Sequence, residues 1–171
     1  MTVESMTHVT ANVGDDLKAL MLKAWQGEMY GVHVYQALAD SRDNSVEAAK
    51  LSELTLLEMH VRDLLAVVLD GWGVALDVAD VVEIGKLDVQ EQIGATWSEL
   101  MQWMAADAAT ALQDYLPLRE VTAGLGGDTE DLAAVVIAHE KAISSFCAKE
   151  LASESDSLHD VRSLLGRWDG R

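Results

Sequence analysis

The sequence predicts an all-α protein, a four-helix bundle with one long crossover between its second and third helices. Composition is the first reason. Half of the 171 residues are hydrophobic, aromatics are 5%, and there is a single proline, Pro117, while β-branched and turn residues form no regular short strands. Periodicity is the second: apolar residues recur at steps of three and four in four segments of comparable length. Spacing is the third, because the joints run short, long, short, and short joints give antiparallel neighbours.

Residues 1–13 read as a polar, flexible N-terminal arm. Asp15 and Asp16 suit a helix start. Leu17, Leu20, Met21, Ala24, Glu28, Gly31, Tyr35 and Leu38 then lie on one face, and the helix ends near Asp40 to Asp43. Asn44 and Ser45 suit the cap of a second helix with the stripe Leu51, Leu54, Glu58, Val61, Leu65 and Val68. Its expected stop is Gly71, a natural C-cap residue. Residues 74–88 read as a long connection with room for a short helical turn. A third helix is expected to begin between Asp88 and Ser98, with the face Trp97, Met101, Met104, Ala108, Ala111 and Tyr115, and Pro117 should end or kink it. Gly124, Gly126 and Gly127 make the next break. Asp128 or Thr129 is the expected cap of a fourth helix carrying Leu132, Val135, Val136, His139, Ile143, Phe146 and Cys147, which Ser153 to Ser157 ends. A short helix around Val161 to Leu165 follows. The division is an arm over 1–13, a bundle over 14–154, and a short helix and tail over 155–171.

The formal net charge of −17 repels nucleic-acid phosphates and anionic membrane surfaces, so neither partner is expected. Solubility is the plain reading of the acidity. The N-terminus has neither a basic segment nor an apolar one of signal-peptide type. No apolar run approaches a membrane span. The lone Cys147 cannot form an internal disulfide, which fits a reducing cytoplasm, and on a core face it reads as a small hydrophobe rather than a catalytic thiol. There is no Gly-rich phosphate loop after a strand, no Gly-x-Ser-x-Gly and no paired cysteine motif.

Glu28 and Glu58 stand on apolar stripes where leucine is expected. A buried carboxylate is costly unless paired, protonated or bound to metal. Glu28 precedes Glu58 by 30 residues and Asp107 precedes Glu140 by 33. Each interval is about one helix plus a turn, so all four could meet at one depth. Carboxylate-bridged metal sites in bundle cores use such a set, completed by histidine. The candidate metal ligands are therefore Glu28, Glu58, Glu140, His139 and Asp107. Each has a structural alternative. Glu58 can pair with Arg62 along its helix. Glu28 can pair with His139 or a tyrosine across the bundle, and His139 can be a satisfied core histidine. His33 and His60 read as surface residues, and Met101 and Met104 as core filler. The small residues from Ala105 to Ala109 either let helices approach closely or leave a pocket.

Glu28 followed by Tyr35 and Ala37-Leu38-Ala39, Leu57-Glu58, and Ala138-His139-Glu140 with Phe146 make residues 14–154 resemble the ferritin-like superfamily, near the rubrerythrins. The resemblance implies a ferritin-like bundle and, in metal-binding members, Glu-x-x-His on the second and fourth helices. This chain has Val61 and Ile143 where those histidines would stand. His60 lies about 200° round the helix from Glu58. Ala108, not Asp107, matches Glu28 if Tyr115 is aligned with Tyr35.

Two functions follow. The first is a bundle protein with a degenerate, metal-free carboxylate and histidine cluster that binds a small ligand or partner. The alternative is a non-haem iron or manganese oxidoreductase using the core carboxylates. The missing histidines favour the first; the lack of a basic residue one turn from Glu28 favours the second. A homodimer is a further expectation, because Trp25, Trp103 and Trp168 crowd a single core.

Overall fold

A computed structural model describes residues 14–168. The expected N-terminal arm lies outside the described residues. Among the described residues the protein is all-α, with helices α1 (Asp15–Asp40), α2 (Ser45–Gly71), α3 (Ala79–Gln92), α4 (Trp97–Thr122), α5 (Gly127–Leu151) and α6 (His159–Trp168). No described helix is long and apolar enough to cross a membrane.

Local chemistry accounts for most of the boundaries. Asp15 and Asp16 place negative charge in the first turn of α1, where the helix dipole favours it. Asn44 caps α2, its side chain accepting from the backbone N–H of Val46 and Glu47. Thr96 and Glu99 form a reciprocal capping box at the start of α4. That Thr-x-x-Glu spacing is visible in the sequence and would have placed the helix start.

Three boundary expectations need correction. The connection after α2 contains a full helix, α3, which packs on α1. Gly85 allows this approach, since a Cβ there would sit 3.3 Å from a Val34 methyl. Pro117 neither ends nor breaks α4, which continues to Thr122. The carbonyl that loses its helical N–H partner is that of Gln113, on the exposed side where water can replace the bond. α2 stops at Gly71 as expected, although the C-cap residue is Trp72 and the left-handed residue is Gly73, at φ 68°. α5 begins at Gly127 behind Gly126, with φ of 63° and 67°, rather than at a side-chain cap from Asp128 or Thr129.

α1 packs on α2 and α4 on α5, and the pairs meet through α1–α4 and α2–α5 contacts. α6 lies on α5 and α2, held by the Arg162–Glu53 ion pair at 2.6 Å and by Lys149–Asp160 at 3.0 Å.

The apolar interior has two parts. One contains Leu38, Leu54, Met101, Met104, Phe146 and Cys147, and the other Met21, Trp25, Leu65, Leu118, Leu132 and Val136. On α1 the second part comes first along the chain, and on α2 the order reverses. α4 follows α2, and α5 follows α1. The residues between the two parts are therefore at one level: Glu28 on α1, Glu58 on α2, and His139 and Glu140 on α5. On α4, Asp107 precedes Ala108, which still belongs to the first part. Met101, Met104 and Cys147 are fully buried core side chains, as expected. Burial pushes the Cys147 thiol up to about 12, which suits a packing role. Trp25 is buried and Trp103 half-buried within this single chain; the Trp168 side chain lies outside the described residues.

Candidate metal centre

α1, α2 and α5 contribute to the polar layer because a stripe of period 3.6 does not distinguish a polar side chain from a leucine. Glu28 therefore follows Met21, Ala24 and Trp25 inward, and Glu58 follows Leu51, Leu54 and Leu57. Glu28 and His139 are 0% and 1% exposed, so neither has bulk water to solvate it. Glu28, Glu58 and His139 each offer a ligand atom, and these atoms lie within 4.8 Å of one another.

His139 is the centre of the group. Its Nδ1 lies 3.1 Å from the Val136 carbonyl oxygen. A carbonyl only accepts, so Nδ1 carries a hydrogen and Nε2 faces the carboxylates. Nε2 is 3.2 Å from Glu28 Oε2 and 3.3 Å from Glu58 Oε1. Only the Glu58 contact also has the geometry of a hydrogen bond. Both oxygens of Glu28 are buried without a hydrogen-bond partner. Oε2 has only the ion-pair contact with the His139 imidazole.

Room for this layer comes from α1. A Cβ at Gly31 would fall against the Glu58 carboxyl group, 2.6 Å from Oε2, and one at Gly27 would meet the Tyr115 hydroxyl. Two glycines inside a helix cost about 1 kcal/mol each relative to alanine. Here they admit a carboxylate and a phenol. A cavity of about 160 Å³ adjoins the layer, with Glu58, Glu140, Asp107, Tyr35 and Tyr115 among its lining residues.

The electrostatics fit a set of acids crowded out of water. Burial holds the Glu28 carboxyl well above its ordinary range, with repulsion from Glu58, a hydrogen bond that the protonated acid can donate to Glu58, and repulsion from Glu140 adding to it. Burial also raises Glu140 to about 8, against the lowering effect of His139 and with help from Glu58 and Asp107. Asp107 is raised to about 6 by burial, Glu58 and Asp88. Burial lowers the tendency of His139 to protonate, but Glu58 and Glu140 overcome it and bring the imidazole up to about 9. Tyr35 and Tyr115 are pushed upward by burial and the same carboxylates, so both stay protonated.

Without metal, these shifts make stability fall as pH rises. His139 above its unfolded value contributes fully below about 6.5 and loses that contribution as pH climbs through about 9. Glu140 acts in the same direction: its unfolded carboxyl ionises near 4.5, while the folded one holds its proton to about 8. Denaturant unfolding of metal-free protein should show greater stability at pH 6 than at pH 9. A flat or rising profile would contradict these protonation states.

The candidate ligands divide as follows. Glu28, Glu58 and His139 converge. Glu140 is buried beside them and shares the cavity with Glu58. Asp107 is only half-buried, facing the cavity, while Ala108 occupies the fully packed position on α4. Glu58 does not pair with Arg62, whose guanidinium goes to Asp63 at 2.6 Å. Of the run from Ala105 to Ala109 only Asp107 lines the cavity, while Ala108 is buried in the core and Ala105 packs against it. His33 is exposed and His60 half-buried. Tyr115 and the Gly27–Gly31 pair complete the site without having been singled out as site residues. Two glycines four apart in a helix interior were the available signal.

No protein-family model, curated protein or solved structure matches the chain. Function rests on the geometry of the layer itself.

The donor set suits a divalent transition metal. Ligand bonds of about 2.0–2.2 Å place neighbouring donors roughly 3 Å apart, close to the His139–Glu28 and His139–Glu58 distances. The Nδ1–H donated to Val136 is the outer bond that orients a metal-binding imidazole. Two carboxylates and a neutral imidazole balance a dication.

Proposed function

We propose that this chain is a ferritin-like four-helix bundle that holds one iron or manganese ion on Glu28, Glu58 and His139 and serves as a non-haem metal oxidoreductase. The observation that carries the reading is the Glu28 carboxylate, wholly buried with both oxygens unpartnered beside a histidine whose Nε2 faces it. The order of the two apolar core parts along α1, α2, α4 and α5 supports the bundle topology, with the crossover occupied by α3. Oxygen-rich ligation with one imidazole favours iron or manganese. Bound there, the ion would supply one-electron chemistry toward oxygen or peroxide, as the resemblance implies.

The protein's own residues have assignable tasks. Glu28, Glu58 and His139 bind, Val136 orients His139, and Gly31 leaves room for the Glu58 carboxylate. Tyr35 and Tyr115 hold protonated hydroxyls beside the cavity, and Glu140 is a buried acid able to keep or release a proton near neutral pH. A single ion is favoured over two because Val61 and Ile143, where further histidines would stand, are 0% and 1% exposed and apolar.

The second reading is a metal-free cluster that binds a small ligand or partner, including a second copy of the chain. The His139–Glu58 hydrogen bond favours it, because a protonated imidazole closes the layer without metal. Elemental analysis of protein expressed with both iron and manganese separates the two. About one ion per chain is expected, retained through gel filtration and lost in Glu28→Gln. Metal-free protein that takes up neither ion on reconstitution would end the metal reading.

A further inference from the structure

The cavity beside the polar layer runs between the protein surface and the core. Its lining includes the exposed Lys23, Thr110 and Asp114 and the buried Tyr35, Glu58 and Glu140. It lies between α1 and α4, with Gly27 and Gly31 of α1 and Thr110 and Ala111 of α4 in its lining, so these wall positions carry no bulky aliphatic side chain. Its charge is one-sided. Glu58, Asp107 and Asp114 line it, with Glu140 a largely protonated acid at neutral pH, and Lys23 is the one cation among the described lining residues. Lys23 is engaged by Asp114, with Nζ 2.9 Å from Oδ2, and the pair is 57% and 44% exposed at the side chains. An ion pair so open to solvent is weak and separates readily. Carboxylates in a slot with low-dielectric walls focus a negative potential that raises the local concentration of cations.

We infer that this slot is the route by which a divalent cation enters the core, with Lys23 acting as an electrostatic brake at its mouth. The inference rests on the metal reading given above. It goes further in assigning a path, a ligand class and a rate-controlling residue that takes no part in holding the ion. Asp114 and Asp107 form the outer acidic steps, and Glu58 with Glu140 the inner ones. Glu28, buried in the same layer, lies beyond the cavity lining, next to Glu58 and His139.

The test is the rate of cobalt(II) uptake by metal-free protein, followed by the absorbance of the bound ion at low ionic strength. Final cobalt per chain is measured separately. Lys23→Gln should load about three- to tenfold faster, and added salt should slow the wild type, as expected for attraction by a focused field. Thr110→Arg, which puts bulk and positive charge at the mouth on an exposed helix face, should load at least about tenfold more slowly. Both variants should reach the wild-type cobalt content. Loading rates within twofold of wild type in both, with normal final content, would overturn the slot and leave the metal centre standing. A wild type that binds no cobalt overturns both. If Thr110→Arg loses helical circular dichroism, Lys23→Gln and the salt dependence decide the matter.

Discussion

Glu28→Leu should give a protein that is more stable without metal than the wild type and that no longer retains a metal ion. Glu28 is the most deeply buried acid of the layer. Both its oxygens are buried without a hydrogen-bond partner, and burial holds its carboxyl well above the ordinary range. Leucine has a similar volume and suits the flanking Met21, Ala24 and Trp25. The substitution removes the desolvation cost and the repulsion with Glu58 and Glu140, and it leaves the His139–Glu58 hydrogen bond in place. Replacing buried ionic groups by apolar ones of matching size is commonly neutral or stabilising by about 1–4 kcal/mol. A gain of about 1–3 kcal/mol at neutral pH is expected here, read by denaturant unfolding, together with loss of the ion by elemental analysis. A protein destabilised by several kcal/mol in the absence of metal would mean that Glu28 is a structural partner rather than a ligand in waiting.

His139→Ala should have the opposite effect on stability. The imidazole, raised to about 9, carries the positive charge that compensates Glu58 when no metal is present. Its Nδ1–H also satisfies the Val136 carbonyl. Alanine leaves the Glu58 carboxylate without its partner and a void between the two apolar parts of the core. Breaking a buried pair from one side costs about 3–5 kcal/mol. The loss should be largest near pH 6 and should shrink as pH rises through about 9, where the wild type gives up its own imidazolium. Unfolding at both pH values checks it, and a pH-independent difference would point to the void alone. Two neighbours in one cluster are thus expected to shift stability in opposite directions. That contrast distinguishes a layer built around an absent ion from a network satisfied in itself.

The all-helical class, the positions of α1 and α2 and the depth of Glu28, Glu58 and His139 were legible in the sequence. Each depends on local features, namely an apolar stripe at helical spacing, an Asn44 cap and a carboxylate placed on that stripe. α3 was not legible as a full helix. Its apolar residues are interrupted by Gly85 and by charges, and much of what holds it is contact with α1. That contact includes the hydrogen bond that Tyr30 donates to Asp88 at 2.6 Å. The passage of α4 through Pro117 depended on which side of the helix faces water, and the start of α5 on two left-handed glycines.

The sequence by itself determined which residues go inward, because helical period and hydrophobicity decide burial one helix at a time. Only the tertiary structure decided which of them meet. Glu58 turns to His139, 81 residues away, and not to Arg62 one turn along its own helix. Gly27 and Gly31 open α1 toward Tyr115, Glu58 and the slot beside α4. Partners between helices are chosen by packing depth and by the space glycine leaves, and neither quantity is written in the spacing along a single chain segment.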